Sequence, residues 1–173
     1  MVIALDAAKG STTSTLADCF AMIAVTRHPD RKEDVAIRYC GIYPAPPGQL
    51  LDYAPIKEEL KRLCREFSVI EVTYDPTQLH DVAMTMKNEG VALFKEFSQQ
   101  LPRLKADKQL QNLIASRRIA HDGNPLLREH VDNSYVKKGE GDGIRIVKRT
   151  PSLKIDGCVA LSMATARIMY YQL

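Results

Sequence analysis

Residues 69–78 read VIEVTYDPTQ: a run of β-branched and apolar side chains that stops at Asp75-Pro76. A short apolar run closed by a turn signal predicts a buried strand with an aspartate at its carboxyl end. Residues 2–6, VIALD, repeat the pattern, a short apolar strand running to Asp6. Between them, residues 19–27 (CFAMIAVTR) and 35–43 (VAIRYCGIY) alternate in part and flank the polar tract 28–34. That arrangement predicts an antiparallel hairpin. AAKGSTTST over residues 7–15 reads as a polar loop, and PAPPGQ over 44–49 breaks the chain.

Working outward, residues 55–67 place Ile56, Leu60, Leu63, Cys64 and Phe67 at helical spacing behind a first-turn proline. Helices are further expected over 80–89, closed by Gly90, and over 104–117. Another is expected over 126–136, with Asn124 as its N-cap and Pro125 in first position. Residues 91–97 and 144–147 read as strands, and 137–142 as a glycine-rich turn. Residues 156–170 are apolar nearly all round, which predicts a buried helix. Three closely connected strands followed by alternating helix and strand predict an α/β fold. It has a mixed central sheet, an antiparallel hairpin plus parallel strands, with helices on both faces.

The chain has 173 residues, 45% hydrophobic and 26% charged, a size expected of one domain spanning 1–173. It holds no apolar run of the ~18 residues a membrane span needs, and residues 1–9 lack the pattern of a secretory leader. A cytoplasmic protein is the expectation. Cys19, Cys40, Cys64 and Cys158 form no CxxC pair, so they are expected to be reduced core thiols. The four His lack paired-ligand spacing, and no zinc site is expected.

Asp6, Asp75 and Asp156 each stand at the end of an element. If the strands carrying Asp6 and Asp75 are parallel neighbours, both carboxylates emerge at the sheet edge where α/β folds place ligands. Two unit charges ~4 Å apart at an effective dielectric near 20 repel by about 4 kcal/mol. Such a cluster calls for cations, and oxygen donors suit Mg²⁺ or Mn²⁺. Two ions roughly 3.5–4 Å apart can clamp the attacking and leaving oxygens of a phosphodiester.

Four stretches carry a family resemblance: LDAA at 5–8, VTYDPTQ at 72–78, NPLLREHVDN at 124–133 and KIDGCVALSMA at 154–164. In order and spacing they resemble the C-terminal nuclease domain of the large terminase subunit of tailed bacteriophages and prophages. The resemblance implies an RNase H-like fold and a divalent-metal endonuclease. It would cut concatemeric double-stranded viral DNA with little sequence preference during genome packaging in the bacterial host. It also implies an ATPase domain, a small terminase subunit and a portal as partners. Carried over residue by residue, the metal aspartates fall on Asp6, Asp75 and Asp156, and a basic position that contacts the scissile phosphate falls on Lys154. His121 and Asn133 lie in resembling stretches and are expected to serve turns or core. The sequence departs from the whole motor in lacking a GxxxxGK phosphate loop, so ATP-driven translocation is not expected of it.

Charge is uneven. Residues 101–154 carry 12 Lys/Arg against 6 Asp/Glu, whereas residues 1–100 carry 11 against 14. Lys137, Lys138, Arg145, Lys148, Arg149 and Lys154 flank glycines 139, 141 and 143. They read as a mobile β-hairpin laid on the DNA backbone, with Arg103, Lys105, Lys108, Arg117 and Arg118 as the alternative path. Two other readings fit the same residues: a junction or hybrid nuclease on the same fold, and a non-catalytic DNA-binding or motor-docking module.

Overall fold

The computed structural model describes residues 1–8, 19–46 and 49–171. In chain order these form β1 (Val2–Ala7), β2 (Cys19–Arg27), β3 (Val35–Pro44), α1 (Ala54–Glu66), β4 (Glu71–Tyr74), α2 (Pro76–Asn88) and β5 (Phe94–Glu96). There follow α3 (Leu101–Ala115), β6 (Ile119–Ala120), α4 (Pro125–Asp132), β7 (Ser134–Lys138), β8 (Ile144–Lys148) and α5 (Asp156–Tyr171). The sheet order is β5-β4-β1-β2-β3-β6, with β7 and β8 as a separate ribbon. β1 and β2 pair antiparallel, as do β2 and β3, while β4 runs parallel to β1, β5 to β4 and β6 to β3. The expected mixed sheet is present. The polar loop expected over 7–15 lies, beyond Ala8, outside the described residues.

The twofold alternation of β1 divides the core. Val2 and Ala4 face α3, α4 and α5, with Leu110, Leu127, Ala160 and Met163. Ile3, Leu5 and Ala7 face α1 and α2, with Leu60, Leu63, Leu79 and Met86. Helices therefore cover both faces. By the same alternation Asp6 shares the α5 face with Val2 and Ala4.

Several boundaries differ from expectation for identifiable reasons. α2 begins at Pro76, because Asp75 caps it by accepting a hydrogen bond from the Thr77 amide (2.9 Å). β5 starts only at Phe94: Gly90 turns left-handed (φ 71°) and the Val91 amide closes back on the Met86 carbonyl, so residue 91 belongs to the helix terminus. α3 stops at Ala115, and Arg117 takes the left-handed region (φ 54°). α4 is capped by Asn124 as expected but ends at Asp132. Residues 134–136 leave the helical pattern, and with 137 and 138 of the expected turn they pair with β8, so a tertiary partner overrides the local apolar period. The two-residue β6 has no strand signal in the sequence and exists through its pairing with Val35 and Ala36.

The β7–β8 ribbon is docked rather than free. Asp107 on α3, fully buried, accepts from Arg103 Nε (2.6 Å), from Ser162 Oγ on α5 (2.6 Å) and from the Ile146 amide on β8 (2.8 Å). Arg145 Nη1 donates to the Gln99 carbonyl (2.7 Å). A Cβ at Gly143 would stand 2.9 Å from Leu104 Cβ, so this glycine lets the turn press onto α3. The expected hairpin exists, and the mobility expected of it is corrected by this anchorage.

Asp107 thus joins α3, α5 and β8 through one carboxylate. Asp107→Ala would leave the Arg103 guanidinium buried without its counter-charge, a change that costs about 3–5 kcal/mol. Urea denaturation should read a loss of that order. A loss under about 1 kcal/mol would show that water substitutes for the carboxylate.

Candidate functional site

Asp6 and Asp75 emerge side by side at the carboxyl end of the parallel pair β1/β4. Leu5 stands opposite Tyr74 in the register, and the Asp75 amide donates to the Leu5 carbonyl (3.4 Å). Tyr74 points to the α1/α2 side, so Asp75, one residue on, turns with Asp6 toward the α5 face. Asp156 is the first residue of α5, which packs across that face over β1 and β2. The three predicted aspartates therefore converge from two adjacent strands and one helix terminus.

Their electrostatics carry the mark of that convergence. Asp6 and Asp156 are buried, and Asp75 is half-buried. Burial, then the Asp156 carboxylate, push the Asp6 carboxyl up to about 8, with Asp75 adding to the rise and Arg103 and Lys148 opposing it. Asp156 Oδ2 is buried and has no hydrogen-bond partner. A buried carboxylate oxygen without a donor is costly unless a cation meets it. The all-oxygen donor set fits Mg²⁺ or Mn²⁺.

Two side chains at this site were not foreseen. Cys19 lies on β2 two residues before Ala21, which opposes Asp6, and so it shares the Asp6 face. His130, buried at the end of α4, accepts the Gly157 amide at Nδ1 (2.9 Å) and so closes the first turn of α5. Ligand atoms of Cys19, His130 and Asp156 all lie within 4.8 Å of one another. Burial pushes the His130 imidazole below its usual range, so the ring is neutral and its acceptor nitrogen is kept. Burial, then Asp156, push the Cys19 thiol up to about 12. Gly157 is required by packing: a Cβ there would meet Ile42 Cδ1 at 2.9 Å and His130 Nδ1 at 3.1 Å. The alternation of residues 19–27 put Cys19 on a core face, whereas nothing in the sequence placed His130 near Asp156. The expectation that all four cysteines are buried core thiols holds for Cys19 and Cys158, whereas Cys40 and Cys64 are half-buried, and it misses this neighbourhood of Cys19.

The predicted basic residues separate into groups. Lys148 and Lys154 are half-buried beside the carboxylates: Lys148 opposes the rise at Asp6, and Lys154 that at Cys19. Asn133 takes its expected turn position as the C-cap of α4 and also holds this approach by donating from Nδ2 to the Lys154 carbonyl (3.1 Å). Lys137 and Lys138 are exposed on β7, with Lys137 Nζ 5.6 Å from the Tyr135 ring centroid. Arg149 is exposed, and its Nε donates to the Ser134 carbonyl (3.0 Å). The alternative path is disrupted, because Arg103 is buried on Asp107 and Arg118 is engaged by Glu33 and Asp34. His121 serves a turn as expected, accepting the Gly123 amide (3.1 Å).

Comparison with known proteins converges on one group. The profile of the family "Terminase large subunit, endonuclease domain" matches residues 24–171. Protein YmfN of Escherichia coli (strain K12) is 34% identical over 138 residues, 76% of this chain and 30% of that relative. The large terminase of bacteriophage HK97 superposes with a TM-score of 0.74 at 16% identity, over 95% of this chain and 38% of its own. The large terminase nuclease of thermophilic phage G20c with bound magnesium gives 0.61 at 12% identity, over 96% of this chain and 81% of its own. A mutant nuclease domain of the large terminase subunit gp2 of bacterial virus Sf6, with manganese and beta-thujaplicinol, gives 0.60 at 12% identity, covering 94% and 86%. These structural likenesses establish the expected RNase H-like fold. The chain spans about a third of the length of YmfN and of the HK97 large terminase.

The raised Asp6 carboxyl carries a definite sign. Its folded value near 8 lies above the ordinary 3.8, so the stability it contributes is full below about pH 4 and lost as pH rises toward 8. Asp6→Asn cannot ionise. With chelator present, its thermal midpoint should exceed that of the unmodified chain at pH 8.5, and the gap should close toward pH 4. Equal midpoints at pH 8.5 would show that Asp6 carries no such strain.

Proposed function

The chain belongs to the family of terminase large-subunit endonuclease domains, and on that premise we propose that it hydrolyses double-stranded DNA at Asp6, Asp75 and Asp156. The carrying observation is the buried Asp156 oxygen without a donor, set beside an Asp6 carboxyl pushed up to about 8 by burial and then by the Asp156 and Asp75 carboxylates. Such a pocket binds hard divalent cations, and Asp6, Asp75 and Asp156 would hold two of them. When bound, two such ions supply an activated water and stabilise the departing 3′-oxyanion.

The protein's own groups then have separable tasks. Asp6 and Asp156 are fixed by β1 and by the first turn of α5, which His130 closes. Asp75 is the more accessible carboxylate and faces the arriving backbone. Lys154 would meet the scissile phosphate, its backbone steadied by Asn133. Lys137, Lys138, Lys148 and Arg149 would hold neighbouring phosphates, which positions a duplex without reading its sequence. Residues 1–173 would act as one nuclease unit in the host cytoplasm. By the same premise they would cut concatemers for packaging alongside an ATPase domain, a small terminase subunit and a portal.

Two measurements test this reading. Supercoiled plasmid should be nicked and linearised with Mg²⁺ or Mn²⁺ and left intact with EDTA. Asp75→Asn should reduce cleavage by at least a hundredfold while folding normally, since asparagine caps a helix as well as aspartate does. Cleavage by that variant at the unmodified rate would overturn the assignment. Separately, replacing Lys137, Lys138, Lys148 and Arg149 by Ala should lower the slope of log K against log[salt] by about 0.9 per lost phosphate contact, roughly 3 to 4 in all. An unchanged slope would place the duplex elsewhere.

A further inference from the structure

We propose that Cys19, His130 and Asp156 form a second metal site, selective for a thiophilic divalent cation such as Zn²⁺, Cd²⁺ or Co²⁺. An ion held there would compete with the hard cations for Asp156. The competition rests on the nuclease reading given above, whereas the binding does not.

The three donors come from three elements: the start of β2, the end of α4 and the start of α5. Their ligand atoms lie within 4.8 Å of one another, and all three residues are buried. With metal–ligand bonds of ~2.0–2.3 Å, tetrahedral donors stand roughly 3.3–3.8 Å apart. A small approach by each side chain closes the sphere. Asp156 Oδ2 accepts no hydrogen bond. The Cys19 thiol makes a weak contact of 3.9 Å with the Phe20 carbonyl and a side-chain hydrogen bond with Asp156, both of which ligation would replace. His130 Nδ1 accepts the Gly157 amide (2.9 Å), so ligation through that nitrogen would release this bond while ligation through Nε2 would keep it.

The chemistry of the set selects the ion. Sulfur and imidazole favour Zn²⁺, Cd²⁺ and Co²⁺, while Mg²⁺ keeps its waters and prefers carboxylates. On binding, the Cys19 S–H bond breaks, its proton leaves to solvent and a sulfur–metal bond forms, with no change of oxidation state. Among the described residues, Cys19 is the one thiol of the four set in such a group.

The test is a titration of the full chain with Co²⁺, without Mg²⁺, followed through thiolate-to-cobalt charge-transfer absorption. The band should saturate at one thiolate-bound ion per chain. The band should vanish in both Cys19→Ser and Cys19→Ala and persist in Cys158→Ser. Asp156→Asn should bind at least tenfold more weakly. A band that survives either Cys19 substitution, or that is missing from the unmodified chain at one equivalent, overturns the site. A second arm measures plasmid cleavage in excess Mg²⁺ with added Zn²⁺, each protein compared with its own Mg²⁺ rate. Inhibition of tenfold or more in the unmodified chain should fall below twofold in Cys19→Ser; equal inhibition overturns the competition. A cobalt band without any Mg²⁺- or Mn²⁺-supported cleavage would sink the nuclease reading and leave the metal site standing. Cleavage without a band would do the reverse.

Discussion

Burial of α5 against β1 and β2 is the constraint on which the site depends. The helix is apolar on nearly every side, and Val159, Ala160, Met163, Ala164 and Ile168 all lie in the core. It cannot be moved or tilted without exposing them, so its first residue, Asp156, is carried to the carboxyl end of β1. There burial and the Asp156 carboxylate raise the Asp6 carboxyl to about 8, a cost of gathering acids in a low-dielectric place. Burying one large aliphatic side chain yields about 1.5–3 kcal/mol. The several such contacts of the helix hold Asp156 in place against that cost.

What the fold leaves uncompensated is as informative as what it pairs. Arg103 acts on Asp6 from nearby, yet its Nε is committed to Asp107 and its Nη1 to Gln99. Lys148 contributes from the rim. Elsewhere the same architecture pairs its buried charge closely: Glu71, fully buried on β4, accepts from Arg167 at 2.6 Å through both oxygens and from Tyr171 at 2.6 Å. The same chain satisfies Glu71 fully and leaves an Asp156 oxygen without a hydrogen-bond partner, the contrast on which the proposed cation site rests.

The Asp107 hub links this site to the basic ribbon. One carboxylate holds the helix that bears Asp156, the helix that bears Arg103 and the strand that leads to Lys148. The exposed lysines of β7 are therefore held at a set distance from the aspartates rather than on a swinging arm. If a duplex docks on this surface as proposed, it would require little ordering of the protein, which would favour affinity.

Much of this was legible in the sequence because it depends on local pattern. The strands at 2–5 and 71–74, the N-cap at Asn124, the buried helix from Asp156 and the mixed sheet all follow from apolar period and turn chemistry within short windows. Asp6, Asp75 and Asp156 were legible as strand and helix ends, and a resemblance over four motifs joined them. Residues 134–136 looked helical and became strand, because their pairing partners lie ten or more positions ahead. Arg103 read as a surface cation and is buried, since only the packed helix shows which side it faces. The proximity of Cys19 and His130 to Asp156 was beyond any local reading. Sequence by itself determined the elements, their order and the acidic residues at their ends, because those are properties of neighbouring residues. Which distant side chains share a dielectric, a proton or a ligand was decided only when β2, α4 and α5 packed together, because burial and charge coupling are properties of space.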